Sequence, residues 1–159
     1  MRRKGENMNV RKAVDYSSMF ESLDSIMKTG RSQMELYCKI GQAVCSRPEK
    51  GAAVAAAGYL TKRYPDIAGF SPRNIRRMRG FWRIYGHVPE LLAEAMLLNW
   101  TQNIVILEAV LTMEERKWYI HQAAAHSLSK AELLRMLAAS AHLESALDEK
   151  AAAWYNKEK

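Results

Sequence analysis

Residues 71–83 read Ser71-Pro72-Arg73-Asn74-Ile75-Arg76-Arg77-Met78-Arg79-Gly80-Phe81-Trp82-Arg83, and this stretch decides the fold class. Serine followed by proline is a helix start. The hydroxyl caps the first turn, and proline takes the first helical position, where its missing N–H costs nothing. With Arg73 at zero and about 100° per residue, Arg77 falls near 40°, Arg79 near 240°, Arg83 near 280° and Arg76 near 300°. Phe81, Tyr85, Met78, Trp82 and Ile75 fill the opposite arc, from about 80° to 200°. One stripe is oily and the other carries guanidinium groups. Such a helix belongs in an all-α bundle, with its arginines turned toward solvent or a polyanion.

The neighbouring sequence has the same character. A first helix is predicted over about Asp15 to Lys28, with Met19, Phe20, Leu23, Ile26 and Met27 at helical spacing, and Thr29-Gly30 closes it. Ser32-Gln33-Met34-Glu35 is a capping-box pattern that launches a second helix, ending before Pro48. Glu49 to Tyr64 is predicted as a third, whose alanines let a neighbour pack closely. The arginine helix follows, from Pro72 to about Tyr85, and Gly86-His87-Val88-Pro89 ends it. A short helix over Glu90 to Leu97, an apolar segment from Trp100, and two further capping boxes, Thr112–Glu115 and Ser129–Glu132, complete the pattern. The boxes launch helices over about Met113 to His126 and Lys130 to Leu143, the last extending as far as Trp154. No internal repeat or second domain is visible. The expectation is a compact bundle of about six to seven helices: a basic tail over 1–12, one domain over 13–147 and a polar extension over 148–159. Glu49–Tyr64 and Pro72–Tyr85 are expected to form a helix-turn-helix-like unit, with the arginine helix as its recognition helix. The Pro65 to Phe70 connector is longer than such a unit normally has.

The net charge of +7 over 159 residues is concentrated. Residues 1–12 carry Arg2, Arg3, Lys4, Arg11 and Lys12 against Glu6, a local +4. Residues 61–89 carry Lys62, Arg63 and the five arginines of the helix against Asp66, a local +6. Charge gathered in this way implies an acidic partner, nucleic acid above all. Cys38 and Cys45, seven positions apart on one helix, are separated by roughly 10.5 Å of rise, too far for a disulfide. They read as two buried thiols in a cytoplasmic protein. No apolar run approaches the roughly 20 residues of a membrane span, and the first residues lack the apolar stretch of a signal peptide.

No catalytic pattern competes with the arginine helix. His87, His121, His126 and His142 have no metal-ligand spacing, and no metal or cofactor is expected. The Glu114, Glu115, Glu144, Asp148 and Glu149 carboxylates lie at helix starts or on polar faces, where charge is ordinary. There is no glycine-rich phosphate loop, nucleophile elbow or Cys-x-x-Cys. Trp82, Trp100, Trp118 and Tyr119 are assigned to the core rather than to a base-stacking platform. The candidate nucleic-acid-binding residues are Arg73, Asn74, Arg76, Arg77, Arg79 and Arg83, with Lys62 and Arg63 upstream. Arginine suits this work because its planar fork matches phosphate oxygens and the guanine edge. Gly80 interrupts the ridge, and one use for it is to let a phosphate strand or another helix come close. The competing reading is a solvated face, its arginines paired with Asp66, Glu90 or Glu94.

Four pieces of sequence carry a family resemblance: Gly69 to Phe81, Leu98 to Glu108, Glu114 to Tyr119, and Leu128 to Leu133, with Lys39-Ile40-Gly41-Gln42 as a weaker fifth. In order and spacing, from about Phe70 to Leu137, they resemble the N-terminal domain of the YhcG family of PD-(D/E)XK-type nucleases. The resemblance implies a helical, helix-turn-helix-like domain that precedes a nuclease domain and handles DNA or assembly. No strand with an aspartate and a Glu-x-Lys triplet is present in these 159 residues, so no catalytic role is carried over. The leading expectation is a non-catalytic domain that binds double-stranded DNA. The alternative is a protein-interaction module that regulates or inhibits a nucleic-acid enzyme such as a nuclease, of the kind phages and mobile elements encode. The apolar Leu91–Leu98 and Leu133–Leu147 stretches leave room for a homodimer.

Overall fold

The helices begin where the sequence supplies caps. A computed structural model describes residues 13–143, which fold into α1 (Ser17–Lys28), α2 (Gln33–Cys45), α3 (Ala52–Arg63), α4 (Pro72–Tyr85), α5 (Pro89–Ala95), α6 (Trp100–Glu108), α7 (Met113–His126) and α8 (Lys130–Ala138). No strand occurs among the described residues, so the all-α expectation holds. Thr112 with Glu115 and Ser129 with Glu132 form complete capping boxes. Asn99 with Gln102 forms another that sequence reading had passed over. Ser32 caps α2 through the Glu35 amide, but the Glu35 carboxylate accepts from the Ser32 hydroxyl rather than from its backbone. The third helix starts at Ala52 instead of Glu49, and residues 46–51 form a turn. The helix from Lys130 breaks after Ala138, where Ser140 takes a left-handed conformation, and residues 141–143 are helical again. The expected continuation to Trp154, the 1–12 tail and the 148–159 extension lie outside the described residues.

α4 is the axle of the bundle. Ile75, Met78, Phe81 and Tyr85 are fully buried. Their helix packs most extensively on α2, then on α3, and more narrowly on α6 and α5. The α2 crossing is close enough to dictate one residue. A Cβ on Gly41 would sit 2.1 Å from the Met78 carbonyl oxygen, so only glycine fits there. The backbone approach that sequence analysis placed at Gly80 is made at Gly41 instead. A Cβ on Gly80 would meet nothing nearer than the Leu107 side chain, at 4.0 Å. α3 offers Ala52, Ala53, Ala56 and Ala57 as a flat buried face, and eight residues, 64–71, connect it to α4. That connector is twice the length typical of a helix-turn-helix.

The entry to α4 is held by a small network. Gly69 adopts a φ of 104°, and a Cβ there would also strike the Tyr37 hydroxyl at 2.3 Å. The Asn74 amide donates to the Gly69 carbonyl at 2.7 Å, and its oxygen accepts from the Trp100 indole N–H at 2.9 Å. The Trp100 hydrogen bond joins two of the family-like pieces, 69–81 and 98–108. Trp100 and Tyr119 are core residues, as expected, whereas Trp82 and Trp118 are half-buried.

Two buried polar residues escaped sequence analysis. Asn103 donates to the Ala95 and Asn99 carbonyls and ties the end of α5 to α6. Arg116 is only 6% exposed and pairs with no carboxylate among the described residues. It donates to the Ile106 carbonyl at 2.7 Å, one of those that the end of α6 leaves open, and to the Leu111 carbonyl in the following loop at 3.4 Å. Arg116→Ala is expected to lower stability by about 2 kcal/mol, because the carbonyls stay buried without a donor. Chemical denaturation measures this, and an unchanged midpoint would show that water reaches them.

Candidate nucleic-acid interface

The arginines of α4 are not equivalent once packed. Arg77 is half-buried, and its guanidinium makes a two-pronged ion pair with Glu108 on α6, at 3.0 and 3.2 Å from the two carboxylate oxygens. This is a carboxylate that sequence analysis did not consider; Asp66, Glu90 and Glu94 take no part. Arg63 pairs with Asp24 at 3.2 Å. The same carboxylate accepts from the Tyr59 and Tyr64 hydroxyls, and the Tyr59 bond is the main cause that holds its pKa below the usual range. Lys62 is exposed and, with Arg63 and Tyr59, lines a separate concavity. Asn74 is committed to Gly69 and Trp100 at both ends of its amide. Three members of the predicted set are therefore already engaged within the fold.

The others gather. Arg76, Arg79 and Arg83 form one wall of a groove of about 660 Å³. Cys45 and the turn Arg47-Pro48-Glu49-Lys50, between α2 and α3, form the opposite wall. Arg73 stands exposed one turn before Arg76 on the same helix. The ion pairs among the described residues leave Arg76, Arg79 and Arg83 without a carboxylate, and Glu49 is already bound to Arg47 at 3.0 and 3.2 Å. The groove thus carries five cations against one anion. Arg79, half-buried between Arg76 and Arg83, shows the strain of this arrangement. Burial lowers its pKa, and the neighbouring Arg83 and Arg76 charges lower it further. A guanidinium held in this way gains from any anion that enters.

Arg47 and Lys50 could have been suspected from a charged turn at the start of a helix, but nothing in the sequence places that turn against α4. Cys45, expected in the core, is half-buried and faces the groove, whereas Cys38 is buried, which raises its pKa. Elsewhere the polar residues have structural work. His142 bridges the Glu115 carboxylate at 3.0 Å and the Tyr119 hydroxyl at 2.8 Å, and His121 lies 3.3 Å from Glu94. Among the described residues no group of three or more His, Cys, Asp or Glu side chains is placed to hold a metal ion, and no helix is long and apolar enough to cross a membrane.

The family model described as the DUF1016 N-terminal domain matches residues 21–144. The chain belongs to this family. It is the N-terminal-domain family of YhcG that the four sequence pieces resemble, and the match is wider than those pieces, reaching back through α3 and α2 into α1. No curated protein and no solved structure is matched by the chain. Both walls of the groove lie inside the DUF1016 N-terminal domain, and the basic segment 1–12 lies outside the matched range.

Proposed function

We propose that this domain is a non-catalytic, intracellular binder of double-stranded DNA. Its contacts run along Arg73, Arg76, Arg79 and Arg83 of α4, with Lys50 and Arg47 across the groove. The supporting observation is the cluster of α4 guanidinium groups, exposed except for the half-buried Arg79, that have no carboxylate partner among the described residues. The strip from Arg73 to Arg83 is about 15 Å long, and a duplex presents roughly nine backbone charges over that length. α4 is hemmed in by the 47–50 turn on one side and by the Arg77–Glu108 pair on the other. In this reading it grips phosphates rather than threading deep into a groove as a recognition helix. Equilibrium titration of a fluorescent duplex at low salt tests the proposal: saturable binding supports it, and no binding overturns it.

The same cations would also fit an acidic protein surface, and a regulator or inhibitor of a nucleic-acid enzyme would use them in that way. Among the described residues no aromatic lines the groove, which favours this second reading over a single-stranded ligand. Capture from a lysate treated with nuclease separates the two, because a protein partner survives the treatment and a DNA contact does not.

Glu108 provides a further test. It is half-exposed and competes with phosphate for Arg77. Glu108→Gln keeps the side-chain shape and releases the guanidinium. The expected result is duplex binding tighter by about 5-fold, with a salt slope steeper by about 0.9, the increment for one more phosphate contact. Isothermal titration at three salt concentrations measures both.

A further inference from the structure

Of the two apolar stretches that leave room for a second copy of the chain, the first lies inside the fold: Leu91, Ala95 and Leu98 are buried. The second does not. Leu134 on α8 is 48% exposed, and it lines a groove of about 440 Å³ between α6 and α8. Ile104 and Val105 of α6 and Leu137 of α8 line the same groove, and the fully exposed Val110 follows Ala109, another of its lining residues. Charges stand toward its two ends. The Gln102 side chain donates to the Leu128 carbonyl at 2.6 Å, so α6 and α8 start together. Lys130, the first residue of α8, is exposed and lines the groove near these starts, whereas Glu108, the last residue of α6, lines it toward the other end. Arg77 takes one side of the Glu108 carboxylate, yet that side chain keeps 47% of its surface in solvent. The groove therefore has a cationic end, an apolar middle, and a carboxylate end with room for a second cation.

We infer that the α6–α8 groove is the seat of a two-fold homodimer. In an isologous contact a patch meets its own copy rotated by half a turn, so a face pairs with itself only if its charges are complementary under that rotation. This face meets the condition. Laid antiparallel on itself, it sets Lys130 of each copy against Glu108 of the other and covers both Leu134 side chains near the axis. An apolar centre with charges paired at the rim is how homodimer interfaces are built. The arginine groove cannot serve, because its five cations and one anion would meet the same five cations and one anion. Pairing leaves that groove open. Arg77 turns toward α6 to reach Glu108, and Arg76, Arg79 and Arg83 lie about 100–160° round α4 from it. A dimer formed through α6 and α8 thus carries two arginine grooves, both accessible.

Sedimentation velocity of the full chain, free of nucleic acid and over a range of concentration, tests the pairing. The unaltered protein is expected to show a monomer–dimer equilibrium with a Kd on the order of 10 μM, as a small contact gives. Leu134→Glu brings two carboxylates together near the axis and should weaken association about 100-fold or more. Val54→Glu, at a valine of α3 that is 49% exposed, is the control and should leave it within about 2-fold. Glu108→Lys and Lys130→Glu each set like charges face to face, and each alone should weaken association about 10-fold. Mixed in equal amounts, these two variants restore opposite charges at both contacts, so the mixture should dimerise as the unaltered protein does. Melting curves establish that each variant is folded; should Glu108→Lys not fold, the contrast between Leu134→Glu and Val54→Glu decides. An unaltered protein that stays monomeric up to about 100 μM would leave the face to another protein or to the rest of the chain, and overturns the inference. So does a dimer that survives Leu134→Glu, one that Val54→Glu disrupts equally, or a mixture that associates no better than its components.

Discussion

Gly41→Ala is expected to destabilise the domain by about 3 kcal/mol, the upper range for overpacking a close contact. For a chain of this size that lowers the melting temperature by roughly 6–12 °C. The added methyl would lie 2.1 Å from the Met78 carbonyl oxygen and 2.7 Å from its carbonyl carbon. Both atoms are helical backbone, so the clash is relieved only if α2 and α4 move apart. That movement would open the most extensive interface in the bundle and disturb Ile40, Val44, Met78 and Phe81, all fully buried. Gly80→Ala is the paired control. Its Cβ finds ordinary space near Leu107, and alanine holds a helix better than glycine by about 0.5–1 kcal/mol, so stability should rise. Thermal and chemical denaturation of the two variants should therefore give opposite signs. Two losses of equal size would mean that α4 does not cross α2 at Gly41.

The second large effect concerns binding. Arg76→Glu, Arg79→Glu and Arg83→Glu combined are expected to weaken duplex binding by about 10³-fold at 0.1 M salt, because three attractive phosphate contacts become three repulsive ones. The fold should not suffer. None of the three pairs with a carboxylate among the described residues, and Arg79 is disfavoured by burial and by its arginine neighbours. Glutamates at these positions would face Arg47 and Lys50 instead, so the melting temperature should stay constant or rise. That combination, lost binding with retained stability, distinguishes a binding surface from a structural one. The matched reversal Arg77→Glu should behave differently, since it breaks the pair with Glu108 and sets two carboxylates against each other between α4 and α6.

How much of this was legible beforehand depended on how local the signal was. The α4 start was readable from Ser71 and Pro72, because cap and first-turn chemistry are decided within four residues. The Thr112 and Ser129 boxes were readable for the same reason. The partition of α4 into a buried arc and a basic arc also followed from register alone, with Ile75, Met78, Phe81 and Tyr85 buried as placed. What register could not reveal was which arginine meets a carboxylate on another helix. Arg77 and Glu108 are 31 residues apart, and Arg63 and Asp24 are 39 apart. Nor could it show that the 47–50 turn faces α4 and makes a groove of what had been read as a ridge. Asn74 looked like a first-turn polar contact for a ligand, but its partners, Gly69 and Trp100, exist only in the folded chain. Gly80 was noticed because it interrupts a basic face. Gly41 lies in the weak family-like piece at 39–42, and nothing local marks it as the point where α2 meets the α4 backbone.

The most direct test of the central claim is the slope of log K against log salt for duplex binding by the unaltered protein and by the Arg76, Arg79, Arg83 triple glutamate variant. If each of the groove's five cations meets a phosphate, as proposed, the unaltered protein should show a slope of at least about −4.5, and the triple variant should be shallower by about 3. A slope near zero, or one that is identical in both proteins, would contradict the account.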